Sequence, residues 1–386
     1  MKYLAGYITA AVFGSLTWVL MQFGDRFSIL IDMVYPYVVR TAQDYLAAWT
    51  GSVDFCLWQV LAMAILVVVL ASVVLMIVLK WNPIQWFGWI AAGGTFLFLL
   101  HTAFFGLNYD AGALADDMRL EVSRYTLEEL SEATTYYRDK ANALADQVNR
   151  DEQGNAAFST FEELAKQAPE GFHSLTYDRY YAIFAGSTVP VKKLGWEDLC
   201  TSLGITGMTV GLTGEAAVNP QAPQVILPYA MCREMAHRMC IATVRDANFA
   251  AFLAGSVNSS PEFQYSSYLM AFRYCITALS SLKHEAAAAS AAQIREGIGA
   301  NLKRDLDTLE QFYKNGRSPI AQSIYHSYLR LSGDAAGIHP GNEICNLLVN
   351  WHIQQVVLPS IAVTETPFDP YDETQVDLSG IVNARQ

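Results

Sequence analysis

The stretch from Phe55 to Leu79 carries no charged side chain, and this limits the chain more than any other feature. About 20 mostly apolar residues, rising 1.5 Å each, cross a hydrocarbon core of about 30 Å. Three segments meet that length: Tyr3 to Gln22, Phe55 to Leu79 and Ile84 to Phe105. The first has only Lys2 as its positive region and no clean small-x-small site after it, so it reads as an anchor and not as a signal peptide. Lys80, Trp81, Asn82 and Pro83 join the other two in a turn too short to cross anything, which predicts a helical hairpin. Trp81, Trp86 and Trp89 suit the membrane interface, where an indole buries its ring and keeps its N–H wet. His101, near the end of the third segment, could mark a proton path or simply be wet at the interface.

Three crossings place Lys2 and Lys80 on one side. The loop between the first two segments sets Arg26 and Arg40 against Asp25, Asp32, Asp44 and Asp54. The positive-inside rule then puts the N-terminus in the cytoplasm and everything after Phe105 outside it. The expected organisation is a transmembrane region over 1–109, an extracytoplasmic domain over 110–358, and a disordered acidic tail over 359–386, where Pro367, Pro370 and repeated Asp, Glu and Thr gather.

Charged residues make up only 16% of the 386 against roughly 25% in soluble chains, and they concentrate beyond Asp110. A net charge of −12 with no Lys/Arg cluster excludes a nucleic-acid surface, which must neutralise phosphates. The expected partner is the lipid bilayer, with a peptide or a membrane protein as a further candidate. Six cysteines include no CxxC pair, so neither a zinc ribbon nor a thioredoxin-like site is expected. Buried free thiols and a single disulfide both remain open.

The expected fold is mostly α, three transmembrane helices followed by an α-rich domain with a small sheet or hairpin. Thr126 with Glu128 and Glu129 opens an amphipathic helix from Tyr125 to Asn149. Gly204 to Val218, rich in glycine and β-branched residues, is the strand or hairpin candidate. Helices are predicted at Pro228 to Ile241, Asp246 to Ala254, Pro261 to Leu282, His284 to Tyr313, Ser318 to Leu331 and Asn342 to Val357.

The string Arg233-Glu234-Met235-Ala236-His237 carries the chemistry. In a helical zinc motif two histidines four residues apart bind the metal, and a glutamate beside the first is general base on the metal-bound water. Here the glutamate and the second histidine are present and the first is arginine. Glu234 and His237 alone are equally compatible with an ordinary charged helix. Beyond the motif, Phe104 to Ala115, Thr213 to Pro220, Asp246 to Ala254, Phe263 to Tyr274 and Tyr328 to Ile338 follow in order. With them the sequence resembles a family of uncharacterised bacterial multi-pass membrane proteins whose outer domain looks like a zinc metallopeptidase of the gluzincin type.

The resemblance places Glu234 on the general-base position and His237 and Asp246 on metal-ligand positions. It departs at Arg233, at Val244 and Arg245 in a usually acidic run, and at Arg238 and Cys240, where Gln and Gly are usual. Arginine is no ligand, because its guanidinium stays protonated and offers only donors. Cys240 could substitute as a ligand. Alternatively Arg233 supplies the charge a metal would have supplied, pairing with Glu234 or Asp246, or it is an exposed arginine without a partner. Thr213, Glu215 and Asn219 lie in the candidate edge strand along which a peptide would add, or in a hairpin turn. Tyr265, Tyr268 and Tyr274 suit a core or a groove lining. The resulting expectation is a membrane-anchored, non-catalytic peptide- or protein-binding homologue without cofactor. The alternatives are an active peptidase holding Zn²⁺ with unusual ligands, and a structural envelope scaffold.

Overall fold

Helices dominate a computed structural model of the chain, which describes residues 2–177, 180–186, 188–316 and 341–359, with isolated positions between 319 and 330. The helix expected at Ser318 to Leu331, the segment from Tyr328 to Ile338 and the acidic tail lie largely outside the described residues. Helices α1 (Ala5–Arg26), α2 (Ser28–Thr50), α3 (Leu57–Val78) and α4 (Pro83–Phe104) come first. The short α5 (Leu114–Asp117) precedes α6 (Leu127–Ala145), α7 (Phe161–Tyr177) and α8 (Tyr181–Phe184). Strand β1 (Lys192–Lys193) and α9 (Glu197–Ser202) lead to the hairpin of β2 (Gly207–Val210) and β3 (Glu215–Val218). The rest is α10 (Leu227–Arg238), α11 (Val244–Ser256), α12 (Pro261–Ser281), α13 (Glu285–Glu296), α14 (Ala300–Asn315) and α15 (Gly341–His352).

Helices α1, α3 and α4 are long and apolar enough to cross a membrane and fit a membrane protein. Helix α1 runs parallel to α4: Gly6 meets Gly88 near their starts, the Phe13 and Phe96 rings stand 5.2 Å apart, and Gly24 reaches Asp110 beyond the end of α4. A Cβ on Gly6 would lie 2.4 Å from the Gly88 carbonyl carbon, so the pair depends on two residues without side chains, the usual route to close helix packing in lipid. The helical domain therefore sits where α1 and α4 finish and α3 begins, with the turn at Lys80 at the far end.

Local chemistry explains most of the domain's elements. The Thr126 hydroxyl accepts from the Glu129 amide and the Glu129 carboxylate accepts from the Thr126 amide, a capping box that starts α6. The predicted helix from His284 to Tyr313 is two, broken at Gly297 and Gly299. Helix α7, with Pro169 inside it, was not anticipated, and it packs a face of Leu164, Ala168 and Phe172 into the core. That core joins α6, α7, α10, α11, α12 and α15. At its edge Tyr265 donates to Asp305 at 2.5 Å, and Asp305 pairs with Arg150 at 2.8 Å, so Tyr265 belongs to a buried polar network. All six cysteines are buried and free.

The stretch between the first two apolar segments, read from sequence as a loop, is helix α2. Its polar side chains fasten it to the domain. Asp32 accepts from the Gly112 amide at 2.8 Å, Arg40 donates to the carbonyls of Ala182 and Met239, and Gln43 donates to that of Gly211 at 2.7 Å.

Candidate functional site

Helix α10 starts at Leu227 with Pro228 in its first turn, where the missing N–H costs nothing. It packs against the sheet, whose order is β1-β3-β2, with β1 parallel and β2 antiparallel to β3. The strand beside the motif that has a free edge is therefore β2, with β3 enclosed between its neighbours. The Asn219 amide bonds the Thr206 carbonyl, and the register pairs Gly207 with Val218. By alternation Met208 and Val210 turn their backbone groups toward β3 while Gly207 and Thr209 turn theirs outward. Among the described residues no strand pairs on that outer side.

Glu234, 2% exposed, points at β2. Its Oε1 accepts from Arg233 Nη2 at 2.7 Å and Nε at 3.0 Å, and the Thr209 hydroxyl lies 2.8 Å from Oε2. Arg233 Nη2 also donates to the Thr206 hydroxyl at 2.9 Å. Position 207 has to be glycine for this to fit: a Cβ there would lie 2.7 Å from Glu234 Cγ and Oε1. Burial disfavours the charged guanidinium of Arg233, but the adjoining Glu234 carboxylate more than offsets it, and its pKa is raised.

His237, one turn after Arg233 and half-buried, places Nδ1 3.0 Å from the Ile241 carbonyl. Because a carbonyl only accepts, Nδ1 is the donor in that bond. Asp246 sits in the first turn of α11, 4% exposed. It receives Arg245 Nε at 2.7 Å and Nη2 at 3.1 Å, and the Leu114 amide at 3.3 Å. Each of the two carboxylates is thus neutralised by the arginine immediately before it. Cys240 caps α10 in the left-handed region, φ 69°, with its amide on the His237 carbonyl. A backbone of that shape favours glycine, so the cysteine stands at a turn position and its thiol is pushed up to about 12 by burial. Arg238 is buried, donates to the Val189 carbonyl, and is lowered to about 10 by burial despite nearby Asp44.

The residues do not fit a zinc ion. A catalytic zinc takes three protein ligands and keeps one position open. Arg233 stands where a helical zinc motif would need a histidine, its guanidinium holds the Glu234 carboxylate, and Asp246 is committed to Arg245. Among the described residues no three His, Cys, Asp or Glu side chains gather where an ion could sit.

Thr213, Glu215 and Asn219 lie inside and not along a peptide-accepting edge. Thr213 is in the β2–β3 turn, its hydroxyl on the Val210 carbonyl. Asn219 is fully buried and braces Thr201, Ile205 and Gln221. Glu215 accepts from the amides of Leu57 at 2.7 Å and Trp58 at 2.8 Å and from Lys192 Nζ at 2.7 Å, and so holds the first turn of α3. The strand order is the reason: a residue on β3 has neighbours on both sides. Thr206, Thr209 and Lys192 were missed, since nothing local announces which helix or strand they meet.

A mostly helical domain, carried on three membrane-capable helices and holding a three-stranded sheet against a helix with a paired Arg-Glu, defines the class. The chain belongs to a family described as protein of unknown function (DUF3810), whose model matches residues 32–349, from within α2 to within α15. None of the curated proteins and none of the solved structures matches it.

Proposed function

We propose that the chain is a membrane-anchored pseudopeptidase: a metallopeptidase-like domain that binds an extended peptide or protein segment without cleaving it, on the outer side of the cell membrane. The observation that carries the reading is the Arg233–Glu234 pair. A guanidinium 2.7 Å from the carboxylate stands where a divalent ion would have to sit, and it keeps a buried carboxylate from being left uncompensated. Binding is placed along β2, where the outward backbone groups of Gly207 and Thr209 offer a strand-addition edge beside α10. The Lys2 and Lys80 ends, opposite the domain, supply the positive-inside argument for the orientation.

Full-length protein in nanodiscs is expected to carry well under one equivalent of zinc and to leave a randomised peptide library intact. A peptide selected from that library should slow hydrogen exchange at the Gly207 and Thr209 amides, while Met208 and Val210 stay as protected as before. Arg233→His restores two histidines one turn apart and should raise zinc affinity at least tenfold. Stoichiometric zinc in the natural chain, lost on His237→Ala together with measurable hydrolysis, would replace this reading with the active peptidase.

A further inference from the structure

Helix α2 is amphipathic in the opposite sense from a helix on a water-soluble domain. Its charged residues, Asp32, Arg40 and Asp44, are all at least half-buried and lie on the face turned to the protein. The uncharged polar residues follow them: Tyr35 donates to the Ala103 carbonyl at 2.9 Å, and Gln43 is completely buried on Gly211. The opposite face carries no charge. Ile29 is 78% exposed, Met33 67%, Val38 62%, Tyr45 76% and Trp49 67%. Leu30, Val34, Val38, Tyr45 and Trp49 follow one another at spacings of four or seven residues and form one stripe along the element, with Ile29 and Met33 on its flank. Water does not favour such a face, and contiguous apolar area of this extent marks a contact with lipid or protein.

The two ends of α2 show which. It leaves α1 at an elbow around Phe27, and α1 and α2 do not pack as a hairpin. At the other end Lys192 Nζ holds the Thr50 carbonyl at 2.7 Å and the Phe55 carbonyl at 2.9 Å, while Glu215 holds the start of α3. Along the way α2 touches residues just past α4, then the end of α10, then the hairpin turn. Both ends are thus at the level where membrane-capable helices meet the domain, separated by 23 residues or about 34 Å of helix. A helix tethered in this way lies along the bilayer surface. Tyr37, Tyr45 and Trp49 are aromatic types that favour that depth.

We infer that α2 is an interfacial helix: its apolar stripe is immersed in the headgroup and upper acyl region on the domain's side, and its polar face is the platform on which α10 and the β2–β3 turn rest. This inference does not depend on the peptide-binding proposal. The occupant is lipid and not a second copy of the chain, because the stripe is continuous at both ends with α1 and α3, two of the helices long and apolar enough to cross a membrane.

The test is site-directed spin labelling of the full chain in nanodiscs, with Val34→Cys, Val38→Cys, Tyr45→Cys and Trp49→Cys made singly. The six native thiols are all buried. Val67→Cys on α3 serves as the lipid reference and Lys303→Cys on α14 as the water reference. Each α2 label should collide more with oxygen than with a nickel chelate, and all four should share one shallow depth, about 5–10 Å below the surface. Nickel-dominated collisions at these sites would mean a solvent face. Low collision rates with both reagents would mean a protein contact, and a depth rising steadily from Val34 to Trp49 would mean a crossing helix. Any of the three overturns the inference.

Discussion

Glu215→Ala should release the first turn of α3 from the domain. The wild-type carboxylate is fully buried, accepts two backbone N–H groups of that turn, and pairs with Lys192, whose own side chain is 9% exposed. Removing it leaves two unsatisfied donors, at about 1–3 kcal/mol each, and an ammonium held only by the Thr50 and Phe55 carbonyls. These costs overlap, and loss of one partner of a buried pair amounts to about 3–5 kcal/mol in all. At 1.36 kcal/mol per decade that predicts hydrogen exchange at the Leu57 and Trp58 amides about two to four orders of magnitude faster, about the upper limit if opening stays local. The measurement is exchange by mass spectrometry on protein in nanodiscs, with α6 as internal reference. Lys192→Met combined with Glu215→Leu leaves no buried charge and should recover about 0.5–3 kcal/mol of the loss expected from adding the two single costs. Unchanged exchange at Leu57 and Trp58, with additive single-variant effects, would refute the clamp.

Gly207→Ala should destabilise the domain by about 1–3 kcal/mol, because its Cβ would displace Glu234 from Arg233 and Thr209; introduced into a Glu234→Ala background, the same substitution should lower the thermal midpoint much less than it does in the wild type. Tyr265→Phe removes the donor to Asp305 and should cost about 1.5–3 kcal/mol, read as a lower unfolding midpoint. His352, 3% exposed beside Tyr136, is lowered from 6.5 to about 4 by burial. The folded state therefore resists a proton that the unfolded chain accepts, so stability is intact above about pH 6.5, falls by up to about 3 kcal/mol toward pH 4, and levels off below. His352→Phe should flatten that acid limb; identical acid limbs in the two proteins would remove the assignment.

What the sequence determined by itself was what rests on neighbours within a few residues. The charge-free run of α3, the Thr126–Glu129 cap of α6 and the turn residues between β2 and β3 each specify their element locally, through hydropathy, hydrogen bonding or allowed backbone angles. Tertiary structure decided the rest. Helix α2 looks like a loop in one dimension because Asp32, Pro36, Arg40 and Asp44 lower its hydropathy, and only packing shows that its charges turn inward and leave an apolar face outside. Glu215 reads as an edge-strand residue until strand order places β3 in the middle and α3 over its end. The sequence offered Arg233 two carboxylates as partners. The choice of Glu234 follows from Asp246 being held by Arg245, and from Gly207 and Thr209 shaping the strand against which Glu234 lies. Such selections depend on pairings between residues far apart in the chain, and no local pattern encodes them.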